Sequence, residues 1–436
     1  MKTLIKLLGL TLMLTFKAIT VNAQDTNYAR RIIRDLTSER MHGRGYSFHG
    51  DSIAASYLRN EMRRLELKPL NSVYYQPYTF STFSMEGPVM LKIGNKILQP
   101  YYQYRIPAWS QSSWGKYKVL TIPVETIVDA EKLKKFLHKN NDLLREVFVY
   151  IDASTDCSML SDSQKKSFDN ILSVLRRRNP FNSKGIIVGV NQLSTYSPAY
   201  TDYEHGYAFI EVLSSCVPKK MKSIDCSFFT QFHPSYSTQN VCGYVEGEVD
   251  TMIVFTAHYD HLGTMGDSVI FHGAHDNASG VAAVLDLARM AAAEKPHYTQ
   301  VFYLFSGEEA GLQGSRYAVE HPLFDFSKVR LLVNIDMFCG GSEGLMVFNA
   351  TAENVQPYFE RLQNLNQVLE IVPEIRPREN RPNSDHYHFA KLMPTLFILT
   401  MGGEYGGYHD PDDICDRCGL EHYLNYLTLI SSLGLK

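Results

Sequence analysis

From residue 240 to the C-terminus, short apolar runs alternate with helical patterns, and this alternation restricts the fold more than any other feature of the chain. Met252–Thr256, Val301–Phe305, Val329–Ile335 and Thr395–Thr400 have the length of strands rather than of buried helices. Helical patterns occupy Ala278–Ala293, about Gly314–Glu320, Ala352–Leu369 and Leu420–Leu433. Strands that are apolar throughout are buried on both faces. The pattern therefore predicts an α/β fold with a mixed, mostly parallel central sheet flanked by helices.

The preceding residues divide in two. Ile32, Ile33 and Leu36, then Ala54, Ala55, Leu58 and Met62, recur at helical spacing and predict helix over Tyr28–Leu67. From about Tyr74 to Phe232 the chain becomes rich in Tyr, Ser and Pro. It has strand-like runs at Val147–Ile151, Gly185–Val190 and Ala208–Val212, and a charged helical segment at Asp162–Arg178. This stretch carries no cluster of ligand-type residues and reads as a separate small α/β or β-rich module. A chain of 436 residues has room for such an arrangement.

A net charge of −3 argues against a general nucleic-acid binder, which needs a basic surface. No apolar run reaches the roughly 20 residues of a membrane span. Lys2 and Lys6, the apolar stretch Leu7–Phe16 and the Val21-Asn22-Ala23 site predict a signal peptide over residues 1–23. The expected mature protein begins near Gln24 and is exported, periplasmic or secreted. Seven cysteines suit that compartment. Spacing puts Cys415 within reach of Cys418, and Cys216 within reach of Cys226.

The chemistry lies after the strands. The first is followed by His258-Tyr259-Asp260, the second by Glu308-Glu309, the third by Asp336, and the fourth, through a glycine-rich loop, by His409-Asp410. Gly273-Ala-His-Asp-Asn277, with Asp276 fourth, precedes the first helix. In open α/β sheets such loops converge at the carboxyl ends of the strands. Zinc accepts imidazole nitrogen and carboxylate oxygen, and a catalytic site keeps a position open for water. Two ions about 3.5–4 Å apart need one shared and four terminal ligands. Hydrolysis also needs a carboxylate, not bound to metal, to carry protons. His258, Asp276, Glu308, Glu309, Asp336 and His409 fill these positions. Glu308 and Glu309 are neighbours at a strand end and so face opposite ways, which suits one ligand and one base. Asp260, in a His-x-Asp turn, can accept the second N–H of His258 and fix its tautomer. His261, His272, His275, His386 and His388 are read as ordinary surface or core histidines. Tyr405 and Tyr408 sit in or beside the glycine-rich loop before His409 and are candidates for lining a side-chain pocket.

Ala257-His-Tyr-Asp-His-Leu-Gly263, Gly273-Ala-His-Asp-Asn-Ala-Ser-Gly280, Ser306-Gly-Glu-Glu-Ala-Gly-Leu-Gln-Gly-Ser315, Asn334-Ile-Asp-Met337 and Tyr408-His-Asp-Pro-Asp-Asp413 resemble, in order and spacing, the co-catalytic zinc aminopeptidases of clan MH. That family spans the aminopeptidase Y and bacterial leucyl aminopeptidase types and is related to glutamate carboxypeptidase II and glutaminyl cyclase. The resemblance implies two zinc ions per chain and peptide substrates. It makes Asp276 the bridging ligand, with His258 and Asp336 on one ion and Glu309 and His409 on the other. Glu308 becomes the general base and Asp260 the partner of His258. Residues 24–84 then pack onto a catalytic domain at 236–436, and 85–235 form a protease-associated-like insertion. The family usually has Asp at the position of His275.

Two other functions share this fold. Glutaminyl cyclases use a single zinc, and they carry an insertion after the paired glutamates and lack Asn-Ala-Ser-Gly. Here Glu309 runs directly into Ala-Gly-Leu-Gln-Gly-Ser, and Asn277-Ala-Ser-Gly280 is intact. Non-catalytic binding proteins of the family lose ligands, and none is lost here.

Overall fold

The computed structural model describes residues 26–197, 203–404 and 407–434. The predicted signal peptide and Tyr405 lie outside the described residues. Helix α1 (Thr26–Leu36) buries Ala29, Ile32, Ile33 and Leu36, and α2 (Gly50–Arg64) buries Ala54, Ala55, Leu58 and Met62. The expected helix over Tyr28–Leu67 is thus two helices. Between them His42, Gly43, Arg44, Phe48 and His49 take left-handed backbone conformations. A Cβ at Gly43 would stand 2.3 Å from the carbonyl oxygen of Gly263, so this turn presses its backbone against the loop that carries the His258 motif.

Strand β1 (Tyr75–Ile93) then leaves the core and leads into the Tyr- and Ser-rich module. There β2 (Ser113–Thr121), β3 (Phe148–Asp152), β4 (Gly185–Val190) and β5 (Ala208–Leu213) form a parallel sheet. Helix α3 (Asp162–Leu175), started by a Ser161–Gln164 capping box, covers one face with Phe168 and Leu175 against Val149, Ile151 and Ile186. The opposite face, with Phe148, Tyr150, Ile187 and Ile210, packs against Leu262, Met265 and Phe271. Strand β6 (Ser223–Val245) returns to the core, antiparallel to β1 from Ile93↔Ile224 to Tyr75↔Val241.

The core continues through β7 (Val249–His258), α4 (Ser279–Ala293), β8 (Tyr298–Phe305), α5 (Gln313–Glu320), β9 (Val329–Ile335), β10 (Gly344–Phe348), α6 (Gln356–Leu369), β11 (Ile375–Pro377), β12 (Thr395–Met401) and α7 (Tyr423–Ser431). The strand order is β11-β10-β12-β9-β7-β8-β6. The four central strands β8, β7, β9 and β12 run parallel, and antiparallel pairs flank them at β6–β8 and β10–β12. Val281, Val284, Leu285 and Ala288 of α4 and Ile32 and Leu36 of α1 cover one face of the sheet. Val254, Val301, Tyr303 and Leu332 point into a second cluster on the other face. The expected mixed, mostly parallel sheet is present, with its central carboxyl ends all at one edge.

The cysteines pair differently from expectation. Cys339, just past β9, is bonded to Cys418, just before α7, across a sequence separation of 79. Cys415, Cys216 and Cys226 are free. Cys415–Arg417 is a tight turn that aims Cys418 inward, and the loop after β9 folds back to meet it.

Candidate metal centre

Because β7, β8, β9 and β12 run in one direction, the residues after them meet. His258 ends β7, and its Nε2 lies 3.3 Å from Asp276 Oδ1 and 3.3 Å from Asp336 Oδ1. The other Asp276 oxygen, Oδ2, lies 3.4 Å from His409 Nε2, which is 3.2 Å from Glu309 Oε2. Asp276 therefore presents one oxygen to each of two histidine–carboxylate pairs. Glu308 joins the His258–Asp336 side, with all three ligand atoms within 4.8 Å of one another. All six residues proposed from the motifs are brought together.

These separations suit a metal. Two ligand atoms of one tetrahedral zinc, each about 2.0–2.1 Å from the ion, stand about 3.3–3.4 Å apart. Among the described residues His409 Nε2 is buried with no hydrogen-bond partner, despite its two carboxylate neighbours. The donor set of imidazole and carboxylate is one that zinc accepts.

The surrounding hydrogen bonds hold this set in place. His258 Nδ1 donates to the backbone carbonyl of Asp260 at 3.1 Å, and the nearer carboxylate oxygen stands 3.7 Å away. The expected role of the Asp260 carboxylate is thus taken by its carbonyl. The carboxylate instead accepts from the amides of Glu308 at 3.1 Å and Glu309 at 3.3 Å, and from the Tyr46 hydroxyl at 3.1 Å. It fixes the backbone of the paired glutamates. Asp336 is steadied by a buried chain in which Thr256 donates to Asn334, Asn334 to Ser384, and Ser384 to Asp336 Oδ2, at 2.7, 2.8 and 2.8 Å. Asp413 accepts from the amides of His275 and Asp276 at 2.7 and 3.1 Å. His275, in the position usually held by Asp, accepts from the Cys339 amide at 3.2 Å. Burial lowers its pKa to about 4, so it acts as a neutral acceptor.

Burial, with Glu309, Asp385 and Asp336 nearby, raises the pKa of Glu308 well above the usual carboxylate range. Burial would do the same to Asp276, but the facing His258 and His409 hold it well below that range. The site thus contains carboxylates of opposite character, as separate proton-carrying and cation-binding roles require.

Two residues here escaped the motif reading. Arg44 is fully buried and donates to the carbonyls of Tyr259, Leu36, His272, Gly273 and Asp276, tying the loops of His258 and Asp276 together. Its signal was a lone arginine between two glycines. His261 is buried with Nδ1 2.8 Å from Glu309 Oε1, so it is no bystander. His272 and His386 lie apart, the first bonded to the Thr37 carbonyl and the second among Phe348 and Phe397. The module reaches the site through two tyrosines. The Tyr196 carbonyl accepts from His409 Nδ1 at 3.1 Å, and the Tyr101 hydroxyl donates to Asp410 Oδ2 at 2.9 Å. Tyr408 stacks on the His409 ring at 3.9 Å and is 57% exposed, so only one face of it is committed.

Comparison with known proteins bears on the fold and on residues 240–433. Residues 240–433 match the model of peptidase family M28. A probable leucine aminopeptidase of Arthroderma otae is 22% identical over 334 residues, covering 72% of this chain and 90% of that protein. Among solved structures, BSAP, a zinc aminopeptidase from Bacillus subtilis, is similar in fold, with TM-score 0.65, 17% identity and 94% of each chain covered. A peptidase M28 precursor from Shewanella amazonensis is similar with TM-score 0.66, 17% identity and 96% of each chain covered. With its motifs gathered at one sheet edge in this way, the chain is a metallopeptidase whose residues 240–433 match peptidase family M28.

Proposed function

We propose that this protein is an exported aminopeptidase that removes N-terminal residues from peptides using two zinc ions. The observation that carries the reading is the position of Asp276, with one oxygen toward His258 and Asp336 and the other toward His409 and Glu309. Those five residues would hold the two ions. Zinc bound there supplies a Lewis acid for the scissile carbonyl and lowers the pKa of water beside it. Glu308 takes the proton from the attacking water and returns it to the leaving amine. Asp260 keeps the backbone of Glu308 and Glu309 fixed while this happens. The similarity to a probable leucine aminopeptidase and to a zinc aminopeptidase supports an aminopeptidase. In this reading residues 1–23 are a signal peptide, and 85–235 are a protease-associated-like insertion whose Tyr101 and Tyr196 wall the site. No described helix is long and apolar enough to cross a membrane.

The test is a screen of aminoacyl-arylamides and N-terminal-glutamine peptides with zinc supplied. Arylamine release is expected, and pyroglutamate formation in its place would replace this reading with a cyclase. Glu308→Gln is expected to retain zinc while kcat falls about 10²–10⁴-fold. Near-full activity in that variant would remove Glu308 from its role.

A further inference from the structure

His261 occupies a position that neither the motif roles nor the zinc reading uses. Its ring is fully buried, and Nδ1 lies 2.8 Å from Glu309 Oε1. The other Glu309 oxygen, Oε2, faces His409 Nε2 at 3.2 Å. The two oxygens of one carboxylate are thus divided between two histidines.

Distance decides what His261 does there. Two ligands of one tetrahedral zinc stand about 3.3–3.4 Å apart, whereas a hydrogen bond to a carboxylate is about 2.7–2.9 Å long. The His409 contact has the first spacing and the His261 contact the second. A carboxylate that ligates a cation through one oxygen can only accept a hydrogen bond through the other. The proton of the bond therefore sits on His261 Nδ1. The remaining nitrogen, Nε2, is buried and has no hydrogen-bond partner among the described residues. The ring is also walled in. Its backbone amide donates to the Arg44 carbonyl at 3.3 Å, and a Cβ on Gly273 would come within 2.5 Å of its Cδ2. It stands edge-on to the His409 ring, with centroids 5.9 Å apart.

We infer that His261 is a positioning residue that occupies Glu309 Oε1 and so leaves Oε2 alone to face the cation shared with His409 and Asp276. A free carboxylate can rotate between one-oxygen and two-oxygen binding, and a fixed donor on one oxygen removes that freedom. His261 thereby sets the coordination of the second cation without touching it, and leaves the His258–Asp336 side unaffected. The inference rests on the two-zinc reading.

The test is titration of the metal-free mature protein with Zn²⁺ against a competing chelator, together with the visible spectrum of the Co²⁺-loaded form. Wild type is expected to bind two equivalents. His261→Leu, which fills the space without a donor, is expected to keep one equivalent at wild-type affinity and to bind the other about 10–100-fold more weakly. Only the Co²⁺ bands of that weaker equivalent should change. His261→Asn places an N–H where Nδ1 stands and is expected to restore most of the lost affinity, a rescue that loss of packing would not give. Two equivalents bound by His261→Leu with wild-type affinity and spectrum would overturn the inference alone. So would His261→Asn binding as weakly as His261→Leu. A wild-type protein that binds no zinc would overturn the underlying reading as well.

Discussion

At the scale of single residues, burial shifts the titration of charged groups in the site and in the core around it. Arg44 carries its guanidinium at 0% exposure, and its five hydrogen bonds all go to carbonyls. Asp413, Asp276, Asp260 and Glu309 surround it and offset the loss of water, and burial lowers its pKa only to about 10. His386 has no such compensation. Burial lowers its pKa to about 3, so it is neutral in the folded protein. The unfolded chain takes up that proton below about pH 6.5, so stability falls as pH falls from about 6.5 to about 3, by about 1.4 kcal/mol per unit. Asp51 acts in the opposite sense. Burial raises its carboxyl to about 6, so its neutral form stabilises the fold as pH falls from about 6 towards 4. A difference measurement separates the two. His386→Phe, placed between Phe348 and Phe397, is expected to lose about 3 kcal/mol less than wild type between pH 7 and pH 4.5 in urea unfolding. Parallel pH profiles would show that His386 takes up its proton in the folded state at the same pH as in the unfolded chain.

At the scale of elements, the turn between α1 and α2 does the most positioning for its length. Gly43 there has φ +61° and backbone oxygens of Gly263 and Phe271 at 2.3 and 2.4 Å from a would-be Cβ. Gly43→Ala is expected to cost about 3 kcal/mol, from left-handed strain plus displacement of rigid backbone. Gly87→Ala, with φ +78° but nothing within 4 Å, isolates the strain alone at about 1–2 kcal/mol. Equal costs for the two in chemical denaturation would show that the close approach is unimportant. This turn also marks where the sequence stopped being readable. Val329–Ile335 and the helix ending at Ala293 were legible because continuous burial or one apolar stripe governs each of them alone. The break at Gly43, the strand Gly344–Phe348 and the 19-residue ribbon strand Tyr75–Ile93 were not. Each is set by what it meets across the fold, and register shifts at Phe80/Thr82 and Glu86/Met90 interrupt the alternation of the ribbon. The same division holds in the site. Residues that follow strands could be read from the chain, whereas Arg44, His261 and Asp413 acquire their roles only through tertiary contact.

At the scale of the whole molecule, three parts of the chain close on one sheet edge. The segment between the N-terminal helices supplies Arg44 and Tyr46, the module supplies Tyr101 and Tyr196, and residues beyond 240 supply the histidines and carboxylates of the candidate metal centre. The Cys339–Cys418 bond joins the loop after Asp336 to the segment before the last helix. Closing a loop of 79 residues stabilises the folded state by about 4–5 kcal/mol on the chain-entropy account. Replacing both cysteines by alanine is expected to lower the midpoint of thermal unfolding markedly, and an unchanged midpoint would show the bond to be absent or unimportant. The central claim is that Asp276 stands between two cations, each completed by one histidine and one carboxylate. Anomalous diffraction at the zinc edge, from crystals of the mature protein grown with zinc, tests it most directly. Two peaks flanking Asp276 are predicted, one beside His258 and Asp336 and one beside His409 and Glu309, whereas a single peak, or two that do not share Asp276, would contradict it.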